Sequence, residues 1–219
     1  MKSFFNLFAE SAKSLKNLRT IATTGMLLAM AIAIRSLAIQ VTPDLRIVFT
    51  CIPISLIGLL YGPVVCGMST FALDLIGFLI DNKSARGYSI ELALVVILSG
   101  IIYGIFLYKQ TIKPQWSDIL RVALARFSVI LICNICLNSY FLYTLYVNPD
   151  FTLLGANETM MNGFFVWILP RVVKNLGQFP IDVALLSMTV PAAQAAYCRV
   201  RSQYGLSLIH ISEPTRPER

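Results

Sequence analysis

In "WILPRVVKNLGQFPID", residues 167–182, an indole, two cations, two amides and a carboxylate interrupt a long apolar run. Residues three, four, seven and eleven apart share a helix face, so Trp167, Arg171, Lys174, Asn175, Gln178 and Asp182 form one polar stripe. Ile168, Val172, Val173, Leu176, Phe179 and Val183 lie between them and are expected to supply the packing surface. At membrane depth each charge costs at least about 2.5–3.5 kcal/mol to insert. Two adjacent cations must then face a protein interior or a cavity, with an anion as partner.

The carboxylates within the apolar runs are Asp74, Glu91 and Asp182. Asp182 lies about two turns from Lys174, too far for a local pair, and Arg35 and Arg126 also need partners. The stripe is expected to be under-neutralised and to suit a bound anion; a salt-bridge network across helices is the alternative. Asp74 and Glu91 are expected to neutralise Arg35 or Arg126 rather than to serve a ligand. Pro170 and Pro180 free backbone carbonyls under either reading. An intramembrane enzyme using the three carboxylates is disfavoured, because they lie on separate segments with no nucleophile motif beside them. The pair in "CNIC", Cys133 and Cys136, lacks the second pair or histidine of a zinc site. With Cys51, Cys66 and Cys198 it reads as small apolar packing. No metal is expected, and no phosphate-binding glycine loop for ATP is found.

The elements that must hold the stripe are apolar. The chain has 219 residues, 57% hydrophobic and 13% charged, against about 25% charged in soluble domains. Runs such as "ELALVVILSGIIYGIFLY" approach the roughly 20 residues that cross a hydrocarbon core. An all-α integral membrane protein of six helices is expected, over 18–39, 46–60, from the "YGP" turn to 80, 90–108, 119–147 and 160–197. Residues 1–17, with Phe4, Phe5 and Phe8 among lysines, read as an amphipathic segment in the headgroup region, not a cleavable signal. Lysine and arginine gather on the side of the termini, which places both in the cytoplasm of the cell membrane. The net charge of +7 belongs to that bias and calls for no nucleic acid. The membrane domain spans 18–201. The string "LSLIHISEPTR" resembles a translated sequencing adapter, so 206–219, including His210, is expected to be a non-native tail.

Here the pieces become recognisable. "RIVFTCIPISLIGLLYGPVVCGMSTFALDLIGFLI" resembles the second and third helices of the S-components of energy-coupling factor (ECF) vitamin transporters. "LSGIIYGIFLYK", "LNSYFLYTLY" and "LPRVVKNLGQFPIDVALL" resemble the folate-specific branch, and the likeness covers residues 21–201. It implies a six-helix bundle without an ATPase of its own. Such a bundle captures a vitamin outside and delivers it by reorienting with a scaffold membrane subunit and two ATP-hydrolysing subunits. For folate, Arg171 and Lys174 would meet the dianionic glutamate tail. The pterin would stack on Trp167 or Tyr88 and take amide contacts from Asn138 or Asn175. Arg46 is either a further anion contact or a snorkelling interfacial arginine. Ala29 and Ala33 form an Ala-x-x-x-Ala pair that lets helices approach closely; the resemblance makes it a scaffold-docking motif, against ordinary packing within the chain. Relatives often carry a "PGFT"-like segment where this chain reads "RGYSIE", residues 86–91, which leaves the substrate open to thiamin or pantothenate. A self-sufficient carrier is the remaining alternative.

Overall fold

Backbone crowding decides where the helices cross. The structure, a computed structural model, describes the backbone of residues 2–42, 45–81, 87–110, 112, 115–152 and 157–211, with side chains within 6–38, 47–80, 87–110, 112, 115–152 and 157–200. The chain runs α1 (Lys2–Ser14), α2 (Leu18–Ser36), a hairpin of β1 (Ile39–Thr42) and β2 (Leu45–Ile47), then α3 (Cys51–Tyr61), α4 (Pro63–Asp81) and α5 (Ile90–Leu107). It continues as α6 (Trp116–Ser128), a π-helical stretch (Val129–Asn138), α7 (Ser139–Tyr146) and α8 (Glu158–Ile211). A Cβ on Gly104 would sit 2.3 Å from Pro63 Cα, and one on Gly58 3.0 Å from Gly104 N. So α5 crosses the α3–α4 turn backbone against backbone, as small residues permit in lipid. At that turn Gly62 adopts φ +86°, a conformation glycine takes without steric cost.

By length and composition, five helical stretches among the described residues can cross a membrane: Leu18–Ser36, Pro63–Ile80, Ile90–Leu107, Trp116–Tyr146 and Glu158–Val200. The sixth expected span differs. A helix over 46–60 was expected, but the antiparallel hairpin pairs Gln40 with Arg46 and Ile39 with Ile47, so helix starts only at Cys51. Pro53 accounts for that start: in the first turn its missing N–H costs nothing, whereas deeper inside it would break a hydrogen bond. At about 1.5 Å per residue α3 is roughly 16 Å long, about half a hydrocarbon core. Nearly all of it is buried, and it forms the central rod.

The amphipathic helix α1 is docked by one hydroxyl. Ser11 Oγ donates to Tyr61 O at 2.7 Å and accepts from Val64 N at 3.1 Å and Val65 N at 3.3 Å. It thereby satisfies the end of α3 and the start of α4 together, both of which leave backbone groups orphaned. Lys109, just past α5, pairs with Glu10 of α1, and that hydrogen bond holds its ammonium above the usual range. The side chains of the expected tail at 206–219 lie outside the described residues.

The last helix turns the expected packing around. It runs unbroken through Pro170, Pro180 and Pro191. Its buried face is the polar stripe, with Arg171, Asn175, Gln178 and Asp182 followed by Leu186 and Val190. Val173 and Leu176, expected inside, are 64% and 58% exposed. On a helix in lipid the apolar side faces outward and the polar side must be sheltered. At the other extreme is α2, with only 11% of its apolar window buried against 44% for α4; Ala29 and Ala33 stand on its exposed side, while Ala31 is buried.

Candidate ligand-binding cavity

The floor of the site is a closed ion pair. Arg126, brought by α6, donates Nε at 2.9 Å and Nη2 at 2.5 Å to Asp182 Oδ2 on α8. Its Nη1 donates to the Tyr103 hydroxyl of α5 at 3.1 Å. The other carboxylate oxygen accepts Gln178 Nε2 at 3.4 Å and Cys51 Sγ at 3.7 Å. Asp182 is fully buried, so the charge is tolerable only because every side of it is met. Gln178 also donates to Val48 O at 3.2 Å, yet its Oε1 is buried without a partner among the described residues.

Above this floor lies a cavity of about 280 Å³, with Arg35, Asp74, Asn134, Lys174 and Gln178 among its lining. Arg35, in the last turn of α2, faces Asp74 of α4 at 3.8 Å. The other oxygen of Asp74 accepts the Tyr88 hydroxyl at 3.2 Å. Tyr88 packs edge-on against Phe78 with centroids 5.1 Å apart; burial first, and the Asp74 charge second, push its hydroxyl above the usual range, so it stays a donor. Lys174 has no ion pair or hydrogen bond among the described residues, although it is half-buried.

The expected site residues with described side chains divide into three groups. Lys174 lines the cavity. Asn175 is one layer behind: its Nδ2 donates to Arg171 O at 2.8 Å, and its Oδ1 accepts from Asn134 Nδ2 at 3.5 Å, so it steadies a lining residue. Tyr88 likewise reaches the cavity only through Asp74. Arg171 and Trp167 lie outside the lining. The guanidinium stands 4.1 Å over the indole, which meets Tyr143 edge-on in a cluster with Phe151 and Phe164. Asn138 closes the π-helical stretch, also outside the lining. The backbone of Arg46 lies in β2 and its side chain is outside the described residues. Of the acids, Asp74 takes Arg35 as expected, but Arg126 takes Asp182, and Glu91 is exposed at the start of α5.

Arg35, Asn134 and Gln178 were not singled out as ligand contacts. The lone arginine of "AIAIRS" was the available signal. Asn134 carried none, because it owes its placement to the π-helical stretch, a feature frequent at functional sites that no proline or glycine announces here.

The profile of the family described as "ECF transporter, substrate-specific component" matches residues 19–190. The folate transporter FolT of Leuconostoc mesenteroides is 32% identical over 167 residues, covering 76% of this chain and 82% of the relative. FolT of Clostridium novyi is 32% identical over 111 residues, covering 51% and 60% respectively. The crystal structure of FolT bound with folic acid superposes with a TM-score of 0.63 at 34% identity, covering 78% of this chain and 91% of that one.

Proposed function

Because the chain belongs to the substrate-specific component family of ECF transporters, we propose that it is the membrane subunit that captures folate for ATP-driven uptake. The observation that carries this reading is Lys174, an ammonium lining a half-open cavity with no ion pair or hydrogen bond among the described residues. A group so placed suits a ligand carboxylate, to which it offers charge-assisted hydrogen bonds. The cavity is close to the lower end of small-molecule sites, about 300–1,000 Å³. Gln178 Oε1, buried without a donor among the described residues, suits an N–H of the ligand, and Asn134 a second polar contact. The glutamate tail then reaches Lys174. Trp167 and Arg171 brace the turn of α8 above it, and Asn175 fixes Asn134.

The bundle crosses the membrane six times, with the hairpin and α3 together making the second crossing. Both termini face the cytoplasm, so the hairpin end of the cavity opens outward, and residues 1–17 lie in the inner headgroup layer. Delivery requires a scaffold membrane subunit and two ATPase subunits. The exposed Ala29 and Ala33 side of α2 is the docking face. Ala29→Leu should therefore leave folate affinity within about twofold while abolishing most uptake in vesicles that hold the complete transporter. Equal loss of binding and uptake would place the residue in folding instead.

A vitamin panel tests the assignment. The purified chain should bind folate near one-to-one and ignore thiamin and pantothenate at the same concentration. Tight binding of either of those, with folate silent, would transfer the specificity to a sister branch.

A further inference from the structure

Two arginine–aspartate pairs face this cavity, and they differ in kind. Arg126 and Asp182 are joined by short hydrogen bonds and sealed from solvent. Arg35 and Asp74 stand 3.8 Å apart with side chains 28% and 18% exposed. That spacing is within Coulombic reach but beyond a hydrogen bond, for which N···O is about 2.7–3.2 Å. Among the described residues Arg35 makes no hydrogen bond at all. Five fixed N–H donors in a planar fork match a carboxylate two at a time, and none of them is so engaged.

The guanidinium is nevertheless held in place. It lies flat on α4 at Gly77, where an added Cβ would come within 2.3 Å of Arg35 Cζ and 2.5 Å of Nη1. Gly77 is thus a platform that fixes the fork beside the cavity. Asp74 is held from its far side by the Tyr88 hydroxyl, so it has a partner whether or not Arg35 stays. Lys174 lines the same cavity without an ion pair or hydrogen bond among the described residues.

We propose that Asp74 is a resident counter-ion which Arg35 exchanges for a carboxylate of the incoming ligand, with Gly77 positioning the fork for both. This rests on the folate reading above, which supplies a tail with two carboxylates, one for Arg35 and one for Lys174. Asp74 keeps Arg35 neutralised in the empty protein and competes weakly with the ligand when it arrives. A structural brace between α2 and α4 has the opposite consequence: loosening it should harm binding.

The test is calorimetric titration of the full chain with folate and with a folate analogue whose two tail carboxylates are amidated. A partly exposed ion pair contributes at most about 1 kcal/mol, so Asp74→Asn should tighten folate binding by about two- to fivefold and leave the diamide unchanged. Gly77→Ala, which displaces the fork, should weaken folate by about tenfold or more, the loss of one charged hydrogen bond, and spare the diamide. Weaker folate binding by Asp74→Asn, or equal effects on both ligands in either variant, overturns the exchange while the wild type still binds folate. No folate binding by the wild type overturns the folate reading and the exchange with it.

Discussion

Lys174→Ala is expected to weaken folate binding by about 2–5 kcal/mol, the range for truncating one member of a buried charged contact. That is roughly 30- to several-thousand-fold in Kd. The same substitution should not lower the stability of the empty protein. The ammonium has no ion pair or hydrogen bond among the described residues, so its removal breaks no such contact there and relieves a partly desolvated charge. The combination of a large loss in affinity with an unchanged or higher melting point is what distinguishes a binding group from a structural one. Calorimetry on the purified chain, paired with thermal unfolding in the same detergent, reads both. Arg171 is expected to behave differently. Its guanidinium covers the Trp167 ring, so its loss should appear first in stability, with any effect on folate following through the position of the helix.

The second large effect lies in the floor. Removing either Arg126 or Asp182 alone leaves the other charge uncompensated in the core, which costs about 3–5 kcal/mol. Either single alanine variant should therefore unfold at markedly lower temperature or denaturant. Replacing both with leucine should restore much of that stability, because two apolar side chains need no partners. It should not restore folate binding: Gln178 would lose the carboxylate that orients its amide, and Tyr103 the guanidinium it accepts from. If both single variants are as stable as the parent, the pair is not the closed, desolvated contact described.

Much of this architecture was legible in the sequence. The stripe on α8 was, because helical spacing decides which residues share a face and charge must be sheltered in lipid; Arg171, Asn175, Gln178 and Asp182 are buried together. Which side packs against lipid was not, since Val173 and Leu176 are apolar enough for either environment and only the outward exposure of both settles it. Local rules also placed the "YGP" turn. The hairpin was missed because its strands are only four and three residues long, too short for alternation to register. The partners of the charges depended on contacts no periodicity reports. Asp182 was correctly judged too far along α8 to neutralise Lys174, but the arginine that claims it is 56 residues away. Arg35 was read as a charge needing a partner, and its place on the cavity wall depends on a bare glycine on another helix. That is why Arg171 and Lys174 looked like the matched cations from sequence, whereas the cavity wall presents Lys174 together with Arg35.

An experimental structure of the chain with folate bound tests the central claim most directly. A tail carboxylate is expected within hydrogen-bonding reach of Lys174 Nζ, about 2.7–3.2 Å, with a ligand N–H against Gln178 Oε1. Folate lodged against the Trp167–Arg171 cluster, with Lys174 still bare, would contradict it.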